Sequence, residues 1–499
     1  EETVLPIIAP TITADFNSIK HLMWYASASY LTSCASQLHW NHVYTSHSPN
    51  GSFLVAIILL GAGSIITATA SSTGPFIAGR IVTGLAIPGV RGGCTAILAA
   101  ASLGEKRTKI TGAMNIASGL GYLAGSVAAG VVTDQSPGRW RWSYFMLLPL
   151  YAFTFVLILA SLWGRKRKTQ QFATSFMTKV KRLDPLGTIL LLVSLYLAVA
   201  GIQLGSWVGD SFYILLVASG AFLVLFVFIR RRTHQDPLVP AGVSGRRTMN
   251  MAFLFSGCMG GGLVLMLYWI SFWVQSVGGP RALRAGLGTL PLAVGMFISS
   301  APLGMVSQRM GDYSSFGMIA AVVLTSVGAG LATINNDSTN IELEKWIGSL
   351  LLFGLGIGCG VQMPSIVAST VLDPADVPNA VGLLQAASSL GSGVLFAVGQ
   401  AVFAKTAQSG IQEENIVAYM WGRAPVGTTP DVKFNGPTED ERRTYEEALK
   451  NTVYVIVAVS CVAIVPAVAM AWRRLGGKRE ALLFPAARGP RPPRNGWYV

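Results

Sequence analysis

Apolar runs of bilayer-crossing length recur along this chain, broken by short polar intervals. A membrane helix needs about 20 predominantly apolar residues to cross the hydrocarbon core. The pattern predicts full spans over residues 21–39, 52–71, 75–101, 110–132, 143–163, 185–205, 211–229, 249–275, 283–306, 314–334, 346–371, 377–402 and 450–472. A shorter apolar piece, Thr3 to Thr13, precedes them. It lacks the basic start of a secretion signal and reads as part of a first helix that is truncated in this sequence. With it the spans number fourteen.

The polar intervals orient these spans. Basic clusters at Glu105–Lys109, Arg165–Arg182, Arg230–Arg247, Gln308–Arg309 and the tail from Arg473 all fall on one side and hold most of the 37 Lys and Arg. Positively charged loops stay inside, so that side is cytoplasmic. The longest inner loop, 164–183, follows six helices. The chain therefore divides into a six-helix bundle over 1–163, a basic linker with extra helices 7 and 8 over 164–248, and a second six-helix bundle over 249–473. The last contains a long outer loop, 403–449, and a basic cytoplasmic tail follows over 474–499. Repeated bundles of this kind are built by transporters.

Composition narrows the class. Hydrophobic residues make up 52% and charged residues 12%, half the roughly 25% of soluble domains, and mean hydropathy is +0.51. That excludes a soluble enzyme, a disordered chain and a disulfide scaffold. The 55 glycines sit within apolar segments, where they let helix backbones approach closely. The net charge of +14 reads as loop decoration rather than nucleic-acid binding, because no basic run is interleaved with stacking aromatics. Cys34, Cys94, Cys258, Cys359 and Cys461 have no metal-ligand spacing. His39, His42 and His47 fall in the predicted loop at 39–47 and read as solvated, so no metal and no cofactor is expected. No catalytic motif or intramembrane nucleophile set is present, which argues against a multi-spanning enzyme.

The charges that do approach the membrane are informative. The 23 acids lie in loops, at span ends or at the start of the chain, which leaves Glu1, Glu2 and Asp134 as the membrane-proximal carboxylates. Arg80 lies inside the fourth span, where an unpaired charge costs about 2.5–3.5 kcal/mol on insertion scales and calls for a cavity or a partner. The alternative is a side chain that snorkels to the outer surface. Arg80, Glu1 and Asp134 are the proton-coupling candidates. Arg91 lies eleven residues on, on the same helix face and roughly 16 Å away, with Pro88 between them. Arg91 is a candidate for the lining of a central cavity that favours anions. Gly121, Gly125 and Gly130 space small residues for close helix contact. In the ninth span the run Gly260–Gly262 is expected to loosen the helix. Tyr268, Trp269, Trp273 and Gln275 follow it, either as an interfacial aromatic belt or as a substrate-cavity wall.

These motifs resemble the major facilitator superfamily, and within it the fungal fourteen-span drug:proton antiporters that include toxin efflux pumps. TVLPIIAPTITADF at the start resembles the family's D-x-T-I-V-x-T-A-L-P, with Glu1 at the Asp. IAGRIVTGLA resembles the helix-4 motif and places the family's proton-coupling arginine at Arg80. Gly121, Gly125 and Gly130 follow the antiporter motif G-x-x-x-G-P-x-x-G-G, with Ser126 in place of Pro and Ala129 in place of Gly. WRWSYFMLLP at 140–149 resembles WRWCFYINLP, and Leu183-Asp184-Pro185-Leu186-Gly187 matches the opening of helix 7. The loop at 41–51 keeps Tyr44, Thr45, Ser48 and Pro49 of the toxin-pump form, with Asn41 replacing its usual Gly.

The resemblance implies an all-α integral membrane protein of major-facilitator fold, two six-helix bundles with two central extra helices, working by alternating access. It implies a monomeric multi-pass protein of the plasma membrane, or of the vacuolar membrane, whose partners are a small-molecule substrate, protons and the lipid bilayer. Export of small hydrophobic or amphipathic compounds by proton antiport is the expected function. An importer of siderophores or nutrients on the same fold, and a degenerate non-transporting member, stay open at the level of sequence.

Overall fold

The computed structural model describes residues 1–16, 21–46, 48–101, 105–135, 138–163, 185–207, 211–232, 246–277, 281–306, 314–334, 343–373, 376–408 and 439–472. Among these residues the chain is helical and contains no strand. In chain order the helices are α1 (Val4–Asp15), α2 (Leu22–Ser46), α3 (Pro49–Ala68), α4 (Thr73–Ala101) and α5 (Glu105–Asp134). Next come α6, broken into Arg139–Arg141, Trp142–Phe145 and Leu148–Trp163, then α7 (Pro185–Trp207), α8 (Ser211–Arg232) and α9 (Arg247–Val277). The last five are α10 (Ala282–Gly288 and Leu290–Val306), α11 (Ser314–Ile334), α12 (Leu343–Val371), α13 (Val377–Gln408) and α14 (Glu439–Val462, helical again over 464–472).

The helices follow the predicted spans in number and order, and 10 of the described helical segments are long and apolar enough to cross a membrane. The differences lie at the ends. α2 runs to Ser46, so His39 and His42 are helical rather than in a loop, and His39 bonds Thr188 of α7 at 2.7 Å. α5 begins at Glu105, which makes the first basic cluster helical. The linker 164–183, most of the outer loop 403–449, Gln308–Arg309, His47 and the tail 474–499 lie outside the described residues.

α2 outruns its predicted span by residues 40–46, where Asn41, His42, Thr45 and Ser46 read as a polar loop. Within the predicted stretch it buries Ser27, Ser29, Thr32, Ser33, Ser36 and Gln37. Their hydroxyls find partners in backbone carbonyls: Thr32 donates to Ala28 O at 2.8 Å and Ser27 to Gly393 O at 3.1 Å. Ser33 has a more specific task. Pro88 within α4 has no N–H, so the carbonyl four residues earlier, at Gly84, loses its helical donor. Ser33 Oγ donates to that carbonyl at 2.9 Å, and α4 continues as one helix through the proline.

The most extensive pairings between the first six helices and the last six are α2 against α13 and α5 against α10, and α1 also touches α9 and α10. α7 leans on α2 and α13 at the edge of this seam, and α8 packs on α7. The extra pair, central in the sequence, flanks the seam in the fold. Lipid-facing residues such as Ile58, Phe153, Val217 and Val224 are more than half exposed. That is the inverse of a soluble surface and matches a hydrocarbon solvent.

Candidate functional site

The site begins where α1 enters the bundle beside α4. Arg80 is 2% exposed, so snorkelling is excluded and the guanidinium is spent on protein partners. Its Nη1 pairs with Glu1 Oε1 at 3.0 Å, its Nε donates to Tyr25 O at 3.2 Å, and its Nη2 donates to Ser29 Oγ at 2.9 Å. Glu1 is itself only 7% exposed, and its other oxygen accepts from Tyr151 of α6 at 3.4 Å. A buried arginine and a buried carboxylate therefore lie within ion-pair distance, with α2 supplying two of the remaining hydrogen bonds. Such a pair is tolerated because desolvation is offset by mutual attraction and by satisfied donors.

A second pair lies beside the first. Arg91 Nη2 meets Glu2 Oε2 at 2.5 Å, and the same oxygen accepts from Tyr122 of α5 at 2.9 Å. This pair is wetter, with Arg91 42% and Glu2 20% exposed. Both arginines of α4 thus converge on consecutive residues at the head of α1. The expected cationic stripe is countered by two adjacent acids, so it offers no net positive charge to an anion while both are ionised.

Asp134 sits elsewhere. It closes α5 at the end that the loop charges assign to the outside. Its carboxylate accepts the backbone N–H groups of Ala282 at 2.5 Å and Leu283 at 3.0 Å, the first residues of α10. It joins the two halves of the seam and stands apart from the Arg80–Glu1 pair.

The glycines of the antiporter motif divide in the same way. At Gly130 a Cβ would lie 2.7 Å from Leu283 Cα, and at Gly286 of α10 it would lie 2.7 Å from the backbone oxygen of Ser126. α5 and α10 therefore touch backbone to backbone. Gly125 faces Thr3 of α1, whereas a Cβ at Gly121 would meet nothing within 4 Å.

Nearby, Gln275 Nε2 of α9 donates to Ile7 O of α1 at 3.1 Å, a further bond across the halves. Tyr268, Trp269, Trp273 and Gln275 are all at most 5% exposed, which rules out a lipid-facing belt. Trp273 stacks on Trp346 of α12 with ring centroids 4.7 Å apart, and Tyr268 lies against Phe396 of α13 at 4.4 Å. The glycine run before them does not loosen α9, which is continuous. Gly260 and Gly261 instead admit Ser388 and Gly391 of α13. Tyr268 and Trp269 also border a small cavity of about 20 Å³ with Phe396, Gln400 and Thr452, room for about one water.

The WRW stretch anchors one end of the first six helices, beyond the end of α5 that Asp134 closes. Trp140 is fully buried, packs against Phe16 and Phe76, and donates to Asp15 at 2.8 Å. Arg141 pairs with Asp15 at 3.3 Å and donates to Ala70 O at 3.1 Å. Sequence reading missed the tyrosines around the acids, Tyr122, Tyr144 and Tyr151. A hydroxyl on an aromatic residue reads as apolar, and nothing in the local pattern marks which ring meets a charge.

The model of the Major Facilitator Superfamily matches residues 1–395 of the chain. The aspyridones efflux protein of Neocamarosporium betae is 30% identical over 97% of this chain and 86% of that protein. The rubrofusarin-specific efflux pump aurT of Gibberella zeae is 28% identical over 96% and 87%. The efflux pump aflT of Aspergillus parasiticus is 28% identical over 96% and 93%. Among solved structures the proton:xylose symporter XylE superposes with a TM-score of 0.55 at 11% identity, over 95% of this chain and 91% of that one. The nucleoside transporter NupG gives 0.52 at 13% identity, over 94% and 98%; both likenesses concern the fold alone. The chain belongs to the major facilitator superfamily, a family of multi-pass membrane transporters rather than enzymes.

Proposed function

We propose that this member of the superfamily exports small hydrophobic or amphipathic compounds, such as fungal secondary metabolites, and that protons entering the cell drive the export. The observation that carries the coupling is the buried Arg80–Glu1 pair. Glu1 is a carboxylate buried between α4 and α6 that protonation alone can release from its partner. The similarity to efflux proteins for aspyridones and rubrofusarin supports the direction and the substrate class.

In this reading the first six helices, within 1–163, rock against the last six, within 249–473, about the seam formed by α2, α5, α10 and α13. The contacts of Asp134 with α10 and of Gln275 with α1 hold the outer end shut in the state described. Protonation of Glu1 from outside frees Arg80 and substrate release precedes it. Deprotonation to the cytoplasm restores the pair. The protein acts as a monomer in the plasma membrane.

The test is accumulation of a panel of hydrophobic toxins and dyes in yeast lacking its own pumps, with and without a protonophore. Lower accumulation that the protonophore reverses is expected. Arg80→Ala is expected to abolish efflux while the protein still reaches the membrane, because the ion pair that protonation would release is gone. Normal efflux by Arg80→Ala would remove the pair from the mechanism, and raised accumulation in the parent would mean import.

A further inference from the structure

Tyr144 is fully buried on the Trp142–Phe145 turn of α6, and its hydroxyl has no hydrogen-bond partner among the described residues. Buried hydroxyls are nearly always satisfied, so an orphan calls for an explanation. Its ring is edge-on to Phe76 at 6.2 Å, which offers no acceptor or donor. The neighbouring Ser143 faces Thr133 instead. Yet Phe76 lies one turn from Arg80 along α4 and also packs on Tyr25, whose carbonyl accepts from Arg80, so the orphan hydroxyl belongs to the same buried cluster as the Arg80–Glu1 pair. The Arg80 guanidinium carries five N–H donors, and only its bond to Glu1 depends on a titrating group.

We infer that the Tyr144 hydroxyl is the second seat of the Arg80 guanidinium, taken when Glu1 is protonated. The inference rests on the coupling role proposed above for Glu1 and Arg80. An external proton adds to the Glu1 carboxylate and ends the ion pair. The Nη1–H of Arg80 then turns to the Tyr144 oxygen, an acceptor, while the bonds to Tyr25 O and Ser29 Oγ serve as the pivot. Tyr144 gives up no proton, and loss of the proton from Glu1 to the cytoplasm returns Arg80 to its first seat. Without a second seat the freed cation would be left short of a partner in a dry site, and protonation of Glu1 would be opposed.

The other titratable groups facing this pair are Tyr30 of α2, Glu2 with Arg91 and Tyr122, Tyr151 of α6 and Tyr268 of α9. Tyr151 already bonds the carboxylate itself, so it serves the ionised form of Glu1 and not the released arginine. Tyr144 also stands where the resembling WRWCFYINLP stretch has Phe, so the hydroxyl belongs to this chain and not to that pattern.

The experiment compares efflux against external pH for the parent, Tyr144→Phe and Glu1→Gln. The variant Tyr144→Phe removes a hydroxyl that has no partner, so expression and melting temperature of the purified protein are expected to hold. Losing a hydrogen bond to a charged group from the protonated state lowers the apparent titration point of Glu1. The half-maximal pH of efflux is therefore expected to move to lower pH by about 1 to 2 units. Infrared titration of the carboxyl stretch in purified protein gives the same midpoint if transport is too slow to follow. An unmoved midpoint, or one that moves to higher pH, overturns the inference. Glu1→Gln separates the two readings. A parental pH profile in that variant would sink the coupling role and the inference with it. A flattened profile beside an unmoved Tyr144→Phe midpoint would sink the inference alone.

Discussion

Removing the Asp134 carboxylate should open the outer end of the seam. In Asp134→Ala the N–H groups of Ala282 and Leu283 lose their acceptor where α5 meets α10. Loss of a side-chain cap costs about 0.5–2 kcal/mol, and loss of a negative charge at a helix N-terminus adds about 0.3–1 kcal/mol. The contact to Leu283 is exposed to solvent, which trims both figures, so about 1–2 kcal/mol is the fair sum. In a state open to the outside the same groups are hydrated, so nearly all of this difference falls on the closed state. The ratio of open to closed should then rise about 5- to 30-fold. Spin labels at Gln135 and Leu287, both exposed, would read the separation of α5 and α10 by double electron–electron resonance in nanodiscs, in a background with the native cysteines replaced. Asp134→Asn, which keeps one acceptor oxygen, should lie between. A distance distribution for Asp134→Ala identical to that of the parent would show that the carboxylate does not hold the seam.

Two further outcomes follow from packing. Gly130→Val places a side chain against the α10 backbone, where no rotamer relieves it, and should abolish efflux at normal surface expression. Gly121→Ala, on the same motif but with open space before it, should transport as the parent does. The Ser33–Gly84 bond should matter only because of Pro88. Ser33→Ala should cost about 1 kcal/mol in the parent and clearly less in a Pro88→Ala background, where an N–H returns to Gly84. Melting temperatures of the four purified proteins complete that cycle, and additive effects would refute the account.

Much of the architecture was legible because a bilayer imposes it locally. Each span must carry its own apolar length and satisfy its own backbone, so number and order are written in runs of residues. The end of α2 escaped this logic because the polar residues Asn41, His42, Thr45 and Ser46 read as a loop, and the partners that answer its buried hydroxyls, carbonyls of α4, α13 and its own helix, are invisible in a hydropathy pattern. Arg80 was conspicuous for the same local reason, as a charge where the solvent is hydrocarbon. What answers that charge is not local. Glu1 lies 79 residues away in the chain, and only the packing of α1 against α4 brings them within 3.0 Å. The same holds for Arg91 and Glu2, for the ring of tyrosines around both pairs, and for Asp134, whose partner is the backbone of another helix. The chain by itself determined which residues a membrane would find costly. The tertiary structure decided how each was compensated, because charge pairing, capping and backbone contact depend on distances between helices, which sequence patterns do not encode.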